Sequence, residues 1–281
     1  MMKITRRGFL RSASVFAIAS GIGVGEAMAQ DAKPAPELDF PLADMHVHLD
    51  NSSVEQVLTL PAASGVKFGI VEHAGVKENQ YPTVLSNDEE LLAYIKMLDG
   101  KPVFKGVQAE YIDWKPCFSD AVLDKLDFVL TDAMTMTGKD GRRMKLWEKG
   151  IDLGEPNAFM DRYVDWHSAI LSSGRVDILA NVSWLPEPFA ADYDALWTEA
   201  RMRKVVDAAV KQKVAVEISS SFKLPKTPFL KMAKDAGLKF TFGSNGRYPK
   251  MGILDYSAVM AKELGLKRSD LFEPPAKDAK A

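Results

Sequence analysis

The chain has 281 residues, 47% of them hydrophobic, with 36 basic and 38 acidic side chains and a formal net charge of −2. That length supports one large domain with a sizeable core. The slightly acidic balance argues against nucleic acid as a partner, because phosphate neutralisation wants a basic stripe. Cys117 is the only cysteine, so an intramolecular disulfide is excluded.

Residues 1–29 read as a twin-arginine signal peptide. Arg6-Arg7 is followed by Gly8-Phe9-Leu10, an apolar stretch runs from Ala13 to Val24, and Ala27 and Ala29 stand at the −3 and −1 positions of a cleavage site. The stretch is too short and too rich in Gly, Ala and Ser to span a bilayer comfortably. The expectation is export of a folded chain to the periplasm or beyond, with no stable membrane insertion once the signal is removed. Removal takes away Lys3, Arg6, Arg7, Arg11 and Glu26, leaving 32 basic against 37 acidic residues and a net charge of −5. Residues 30–41, rich in Pro, Ala and charge, read as a flexible lead-in, 42–273 as the folded domain and 274–281 as a flexible tail.

Short apolar runs then recur at Leu42–Val47, Phe68–Val71, Val103–Ala109, Phe128–Thr131, Ile178–Ala180, Val214–Ile218 and Phe240–Phe242. Each is brief and almost continuously apolar, as expected of a parallel strand buried on both faces. Between them lie helical patterns: one opening at Asn87, where Asp88, Glu89 and Glu90 fill a first turn, then Glu155–Leu171, Ala195–Lys211 and Pro228–Ala236. Gly237 falls where a helix-terminating glycine belongs. Seven strand-then-helix units predict a closed (β/α) barrel. No GxGxxG or phosphate loop follows the first strand to favour an open doubly wound sheet.

In such a barrel the chemistry sits at the carboxyl ends of the strands. The first ends Asp44-Met45-His46-Val47-His48-Leu49-Asp50, and side chains two apart on a strand share a face. An imidazole pair held this way can grip a divalent metal, with Asp44 placed to orient a ring. The second strand ends Val71-Glu72-His73. Three of the four histidines thus fall at strand ends, and the fourth, His167, lies within a helical pattern and reads as structural or surface.

Taken together, these segments resemble the polymerase and histidinol phosphatase (PHP) family over nearly the whole chain after the signal. Asp44-Met45-His46-Val47-His48 is similar to its first motif and Glu72-His73 to its second. Gly106-Val107-Gln108-Ala109-Glu110 is similar to its third, and the order continues through Asp127-Phe128-Val129-Leu130, Asp177-Ile178-Leu179-Ala180, Val216-Glu217-Ile218 and Gly243-Ser244. The resemblance implies a distorted (β/α)7 TIM-like barrel, metal-dependent phosphoesterase chemistry and, in the family, two or three metals.

Several positions depart from that pattern. Gln108 stands where the resemblance implies a bridging glutamate, while Met134, Asn181 and Arg247 stand where it implies histidines, and Asn245 where it implies an aspartate. Amides are weak ligands and thioether sulfur is poorly suited to Zn, Mn or Mg. The surviving set is His46, His48, His73 and Glu110, enough for one divalent ion (Zn, Mn or Fe) or none. Glu72 or Asp132 are the candidate general bases. Arg247, Asn181, Asn245 and Gln108 are the candidate contacts to a small anionic substrate. Glu217 is placed either to pair with Arg247 across the barrel or to close a buried network. Trp184 and Trp114, after strand ends, either stack on a ligand or pack the rim.

Three functions compete. The first is an exported phosphoesterase-like or related ester hydrolase with a reduced site. The second is a catalytically inactive periplasmic small-molecule binding or interaction protein. The third is an amidohydrolase-type lactone or amide hydrolase, whose usual last-strand aspartate is here Asn245.

Overall fold

The computed structural model describes residues 38–275 except 51 and 61–64. The signal peptide, most of the lead-in and residues 276–281 of the tail lie outside the described residues. Seven parallel strands form the central sheet: β1 (Ala43–His48), β2 (Lys67–Ala74), β3 (Phe104–Ala109), β4 (Phe128–Thr131), β5 (Ile178–Leu179), β6 (Ala215–Ser219) and β7 (Phe240–Gly243). They pair in chain order, and β1 pairs with both β2 and β7, so the sheet closes on itself. The structure is a closed seven-stranded α/β barrel of TIM-like type. The β1–β2 register shifts between Asp44 and Val47, the kind of irregularity that re-aims side chains beside a site.

A helix follows every strand. Those used below are α1 (Asp88–Leu98), α2 (Pro156–Leu171), α3 (Glu199–Gln212) and α4 (Thr227–Asp235). The Asn87 side chain accepts the amide of Glu90 at 2.9 Å and caps α1. Glu155 caps α2 ahead of Pro156. After α4, Gly237 takes the left-handed conformation at φ +77°, which costs a residue without Cβ little.

The helix expected over Ala195–Lys211 is two pieces, Tyr193–Leu196 and α3. Thr198 breaks it. Its backbone is extended, and its side chain accepts the amide of Arg201 as a new N-cap; a local hydroxyl partner competes with helix continuation. Four short strands are also absent from the sequence reading. Val84–Leu85 extends the sheet beside β2, Thr135–Thr137 with Arg143–Lys145 makes a hairpin after β4, and Gly246–Arg247 pairs with the end of β1.

Two apolar clusters hold the barrel. The larger lies between strands and helices. The smaller contains Met45, Val71, Phe128, Leu130, Ile178, Ala180 and Ala215. The Phe128 ring lies against Gly69 and Gly106, where an added Cβ would come within 2.9 and 2.4 Å of it. One aromatic ring resting on two glycines thus closes the floor beneath the polar end.

Candidate active site

The buried polar side chains gather at the carboxyl ends of β1 to β7. His46 and His48 come from β1, Glu72 and His73 from β2, and Gln108 from β3, with Glu110 just beyond it. Asp132 follows β4, Asn181 follows β5, and Glu217 stands on β6.

His73 donates or accepts through Nδ1 at 2.7 Å from Glu110 Oε1. Glu110 also accepts from Gln108 Nε2 at 3.0 Å and from the Tyr81 hydroxyl at 3.1 Å. With that carboxylate on Nδ1, the proton belongs there, and the buried, unpartnered Nε2 of His73 faces outward as a lone pair. His48 has no hydrogen-bond partner on either ring nitrogen. Burial, followed by the charges of His73, His46 and Arg247, holds it well below the usual histidine range. It is a neutral base. Asp50 presents a buried, unpartnered Oδ1 while its Oδ2 accepts from Arg247 Nε at 2.9 Å.

His48, Asp50 and His73 offer three ligand atoms within 4.8 Å of one another. Unpaired buried lone pairs are costly unless something binds them. Two imidazoles and a carboxylate are a donor set suited to a single transition-metal ion with an open position. The residues therefore fit one divalent metal.

His46 and Glu110 are placed otherwise than the expected ligand set. His46 Nδ1 lies 2.7 Å from Glu217 Oε2, and its Nε2 lies 3.0 Å from Gln108 Oε1. The Gln108 amide nitrogen faces two carboxylates, Glu110 at 3.0 Å and Asp132 at 3.3 Å, so its oxygen must face His46. Both His46 nitrogens thus meet acceptors. Burial alone would lower its pKa, but the Glu217 carboxylate, with Asp132, raises it. A ring that gives hydrogens from both nitrogens has no lone pair for a metal. Glu110, 2.7 Å from Nδ1 of His73, orients that ring instead.

Gly243 makes the His46–Glu217 contact possible, since a Cβ there would lie 2.2 Å from Glu217 Oε2. Glu217 also accepts the Asn181 amide at 3.4 Å, closing a network rather than pairing with Arg247. Asp44 corrects another expectation. Rather than an imidazole ring, it holds the backbone amides of His46, Ser244 and Gly252 and the Ser244 hydroxyl. It ties β1 to the segment after β7.

Asp132 accepts from Met134 N at 3.0 Å and Asn181 Nδ2 at 2.9 Å. Burial, then the charge of Glu110, pushes it up to about 6. Glu72 accepts the amides of Leu49 and Asp50 at 3.1 and 3.2 Å. Burial, then the charge of Asp50, raises it to about 7. Adjacent to His73 on the strand, Glu72 points to the other face and does not line the cavity above the site.

That cavity, of about 300 Å³, is lined by His73, Gln108, Asp132, Met134, Asn245 and Arg247, together with Tyr81, Trp147, Trp184 and Phe222. Arg247 donates to the Asn245 backbone and side-chain oxygens as well as to Asp50. A larger cavity of about 390 Å³, lined by residues such as Phe40, Phe104 and Phe242 at the amino ends of the strands, carries none of the histidines. We assign the chemistry to the smaller one on that ground. Trp114 is fully buried against Phe118 and packs the fold, as His167 does within α2.

Asp50, Tyr81, Trp147 and Phe222 were not singled out from sequence. Only Asp50 carried a signal, by extending the alternation His46, His48, Asp50.

No family model matches the chain, and no curated protein does. Among solved structures, a histidinol phosphate phosphatase from Lactococcus lactis subsp. lactis Il1403 matches with a TM-score of 0.58 at 16% identity. The match covers 83% of this chain and 95% of that one. The chain folds as a PHP-type barrel. The phosphatase was crystallised with Zn, L-histidinol and phosphate. HpcH/HpaI aldolase proteins from Desulfitobacterium hafniense DCB-2 and Burkholderia cenocepacia J2315 match at 11% and 14% identity, over 72% and 80% of this chain and 86% and 93% of theirs. Their TM-score of 0.34 carries no weight for the fold. Among the described residues, no helix of this PHP-type barrel is long and apolar enough to cross a membrane.

Proposed function

We propose that this PHP-type barrel is a phosphomonoester or related ester hydrolase with a single-metal site, exported through the twin-arginine pathway. The convergence of unpartnered lone pairs on His48, Asp50 and His73 carries the reading. The zinc, histidinol and phosphate bound by the structurally similar phosphatase support it, and Zn, Mn or Fe suits the donor set. When bound, such an ion polarises a phosphoryl oxygen and lowers the pKa of water toward neutrality.

The chain's own residues supply the rest. Glu110 fixes the tautomer of His73. Arg247 and the Asn245 side chain meet the anionic group at the cavity wall. Asp132 lines the cavity and titrates near 6, so it takes the proton of the attacking water and passes one to the leaving oxygen. One P–O bond forms to water, the P–O bond to the leaving group breaks, and an alcohol and inorganic phosphate result. Two amides, Gln108 and Asn181, donate to Glu110 and Asp132. In a fuller cluster, further cations would balance those charges.

The Arg247–Asp50 ion pair favours a second reading, a binding protein without catalysis, because a guanidinium competes with a metal for that carboxylate. Metal analysis of the purified full chain separates the two. The hydrolase reading expects about one ion per chain, lost in His48→Ala/His73→Ala, and metal-dependent hydrolysis of a phosphomonoester. A metal-free protein whose stability ignores added Zn, Mn, Fe and chelator, and which turns nothing over, supports the binding protein.

A further inference from the structure

Four separate loops each bring one aromatic side chain to the cavity: Tyr81 after β2, Trp147 after the hairpin that follows β4, Trp184 after β5 and Phe222 after β6. Packing explains the first. Tyr81 stacks on His73 with centroids 3.6 Å apart, and the Lys145 ammonium stands 4.7 Å from the ring centroid, so the ring is engaged by the protein itself. Packing explains the others only in part: Trp184 is half-buried against the apolar core, and Trp147 meets Tyr81 with centroids 6.3 Å apart. Trp147 stays 42% exposed, although burying such a surface is strongly favourable. Trp184 and Phe222 meet only edge to face, centroids 6.2 Å apart, and keep lining the opening.

An aliphatic pocket would suffice for a flexible alkyl chain. Rigid rings presented from three loops around a cavity of about 300 Å³, Trp147 exposed and Trp184 and Phe222 half-buried, instead match a flat ring, which gains stacking and edge contacts beyond its buried area. The polar floor takes the charged end of the same molecule, with Arg247 and Asn245 on that wall. We propose that the preferred substrates are esters of an anionic group with an aromatic alcohol or phenol, the ring held at the mouth by Trp147, Trp184 and Phe222. This rests on the hydrolase reading for the charged end and on the aromatic mouth for the ring.

Calorimetric titration of the full chain, supplied with Zn, tests it with three non-hydrolysable probes: phenylphosphonate, cyclohexylphosphonate and benzyl alcohol. Phenylphosphonate is expected to bind about tenfold more tightly than cyclohexylphosphonate. Trp147→Ala, at an exposed position where folding is not at stake, and Phe222→Ala should each erase most of that preference. Cyclohexylphosphonate binding should weaken by less, through lost contact area alone. Equal binding of the two phosphonates overturns the aromatic inference and leaves the hydrolase reading standing. Benzyl alcohol binding as tightly as phenylphosphonate, with the ring preference intact, overturns the anionic reading alone. Failure of all three to bind overturns both.

Discussion

Glu110 lies 2.7 Å from Nδ1 of His73, and that bond decides which ring nitrogen faces the cavity. Orienting carboxylates of this kind are worth about 10- to 100-fold in metal affinity. Glu110→Gln, which keeps size and the Tyr81 contact, should therefore weaken Zn binding by that range in a competition titration while the fold is unchanged. Unaltered affinity would mean His73 is not a ligand. His167 sets a separate expectation. It is fully buried, with its Nδ1 donating to the Tyr163 carbonyl at 2.7 Å, and burial pulls it from 6.5 to about 4. A group whose folded pKa is depressed binds fewer protons folded than unfolded between those values, so stability falls as pH drops from 6.5 to 4. The loss from this site is about 3 kcal/mol. Urea unfolding at pH 7 and pH 4.5 should show His167→Gln losing less stability than wild type; parallel losses would contradict the assignment.

At the scale of elements, β3 and β4 are coupled through the barrel floor. An alanine at Gly106 would place Cβ 2.4 Å from the Phe128 ring. Overpacking of this kind costs roughly 1–3 kcal/mol. Phe128→Leu in the same chain should recover much of that loss, since the two changes share one space. Strictly additive melting shifts would show that the ring can move aside. The seven strands were legible because each is a short apolar run buried on both faces, and their ends carried His46, His48 and His73. Thr198 broke a helix that apolar periodicity read as continuous, because a side-chain cap leaves the pattern unchanged. The hairpin Thr135–Lys145 was missed although Gly138 and Asp140-Gly141 mark its turn, because each of its strands is only three residues long.

At the scale of the molecule, the roles of individual histidines were the least legible part. His46 and His48 look alike in sequence, two residues apart on one strand. Only long-range partners divide them: Glu217, 171 positions away, and Gln108, 62 away, occupy both nitrogens of His46 and leave His48 bare. Gln108 and Asn181 read from sequence as lost ligands. In the fold they donate to buried carboxylates, Gln108 to Glu110 and Asp132 and Asn181 to Asp132. Asp50 continues the alternation of His46 and His48 in sequence, but it lies just past the strand with a left-handed backbone, at φ 46°, so its place beside the two histidines is set by the turn rather than by strand periodicity. The most direct measurement is anomalous diffraction from crystals of the zinc-loaded chain. The account expects one peak bonded to His48, Asp50 and His73, with His46 still held between Glu217 and Gln108. A peak bonded to His46 and Glu110, or no peak at that end of the barrel, would contradict it.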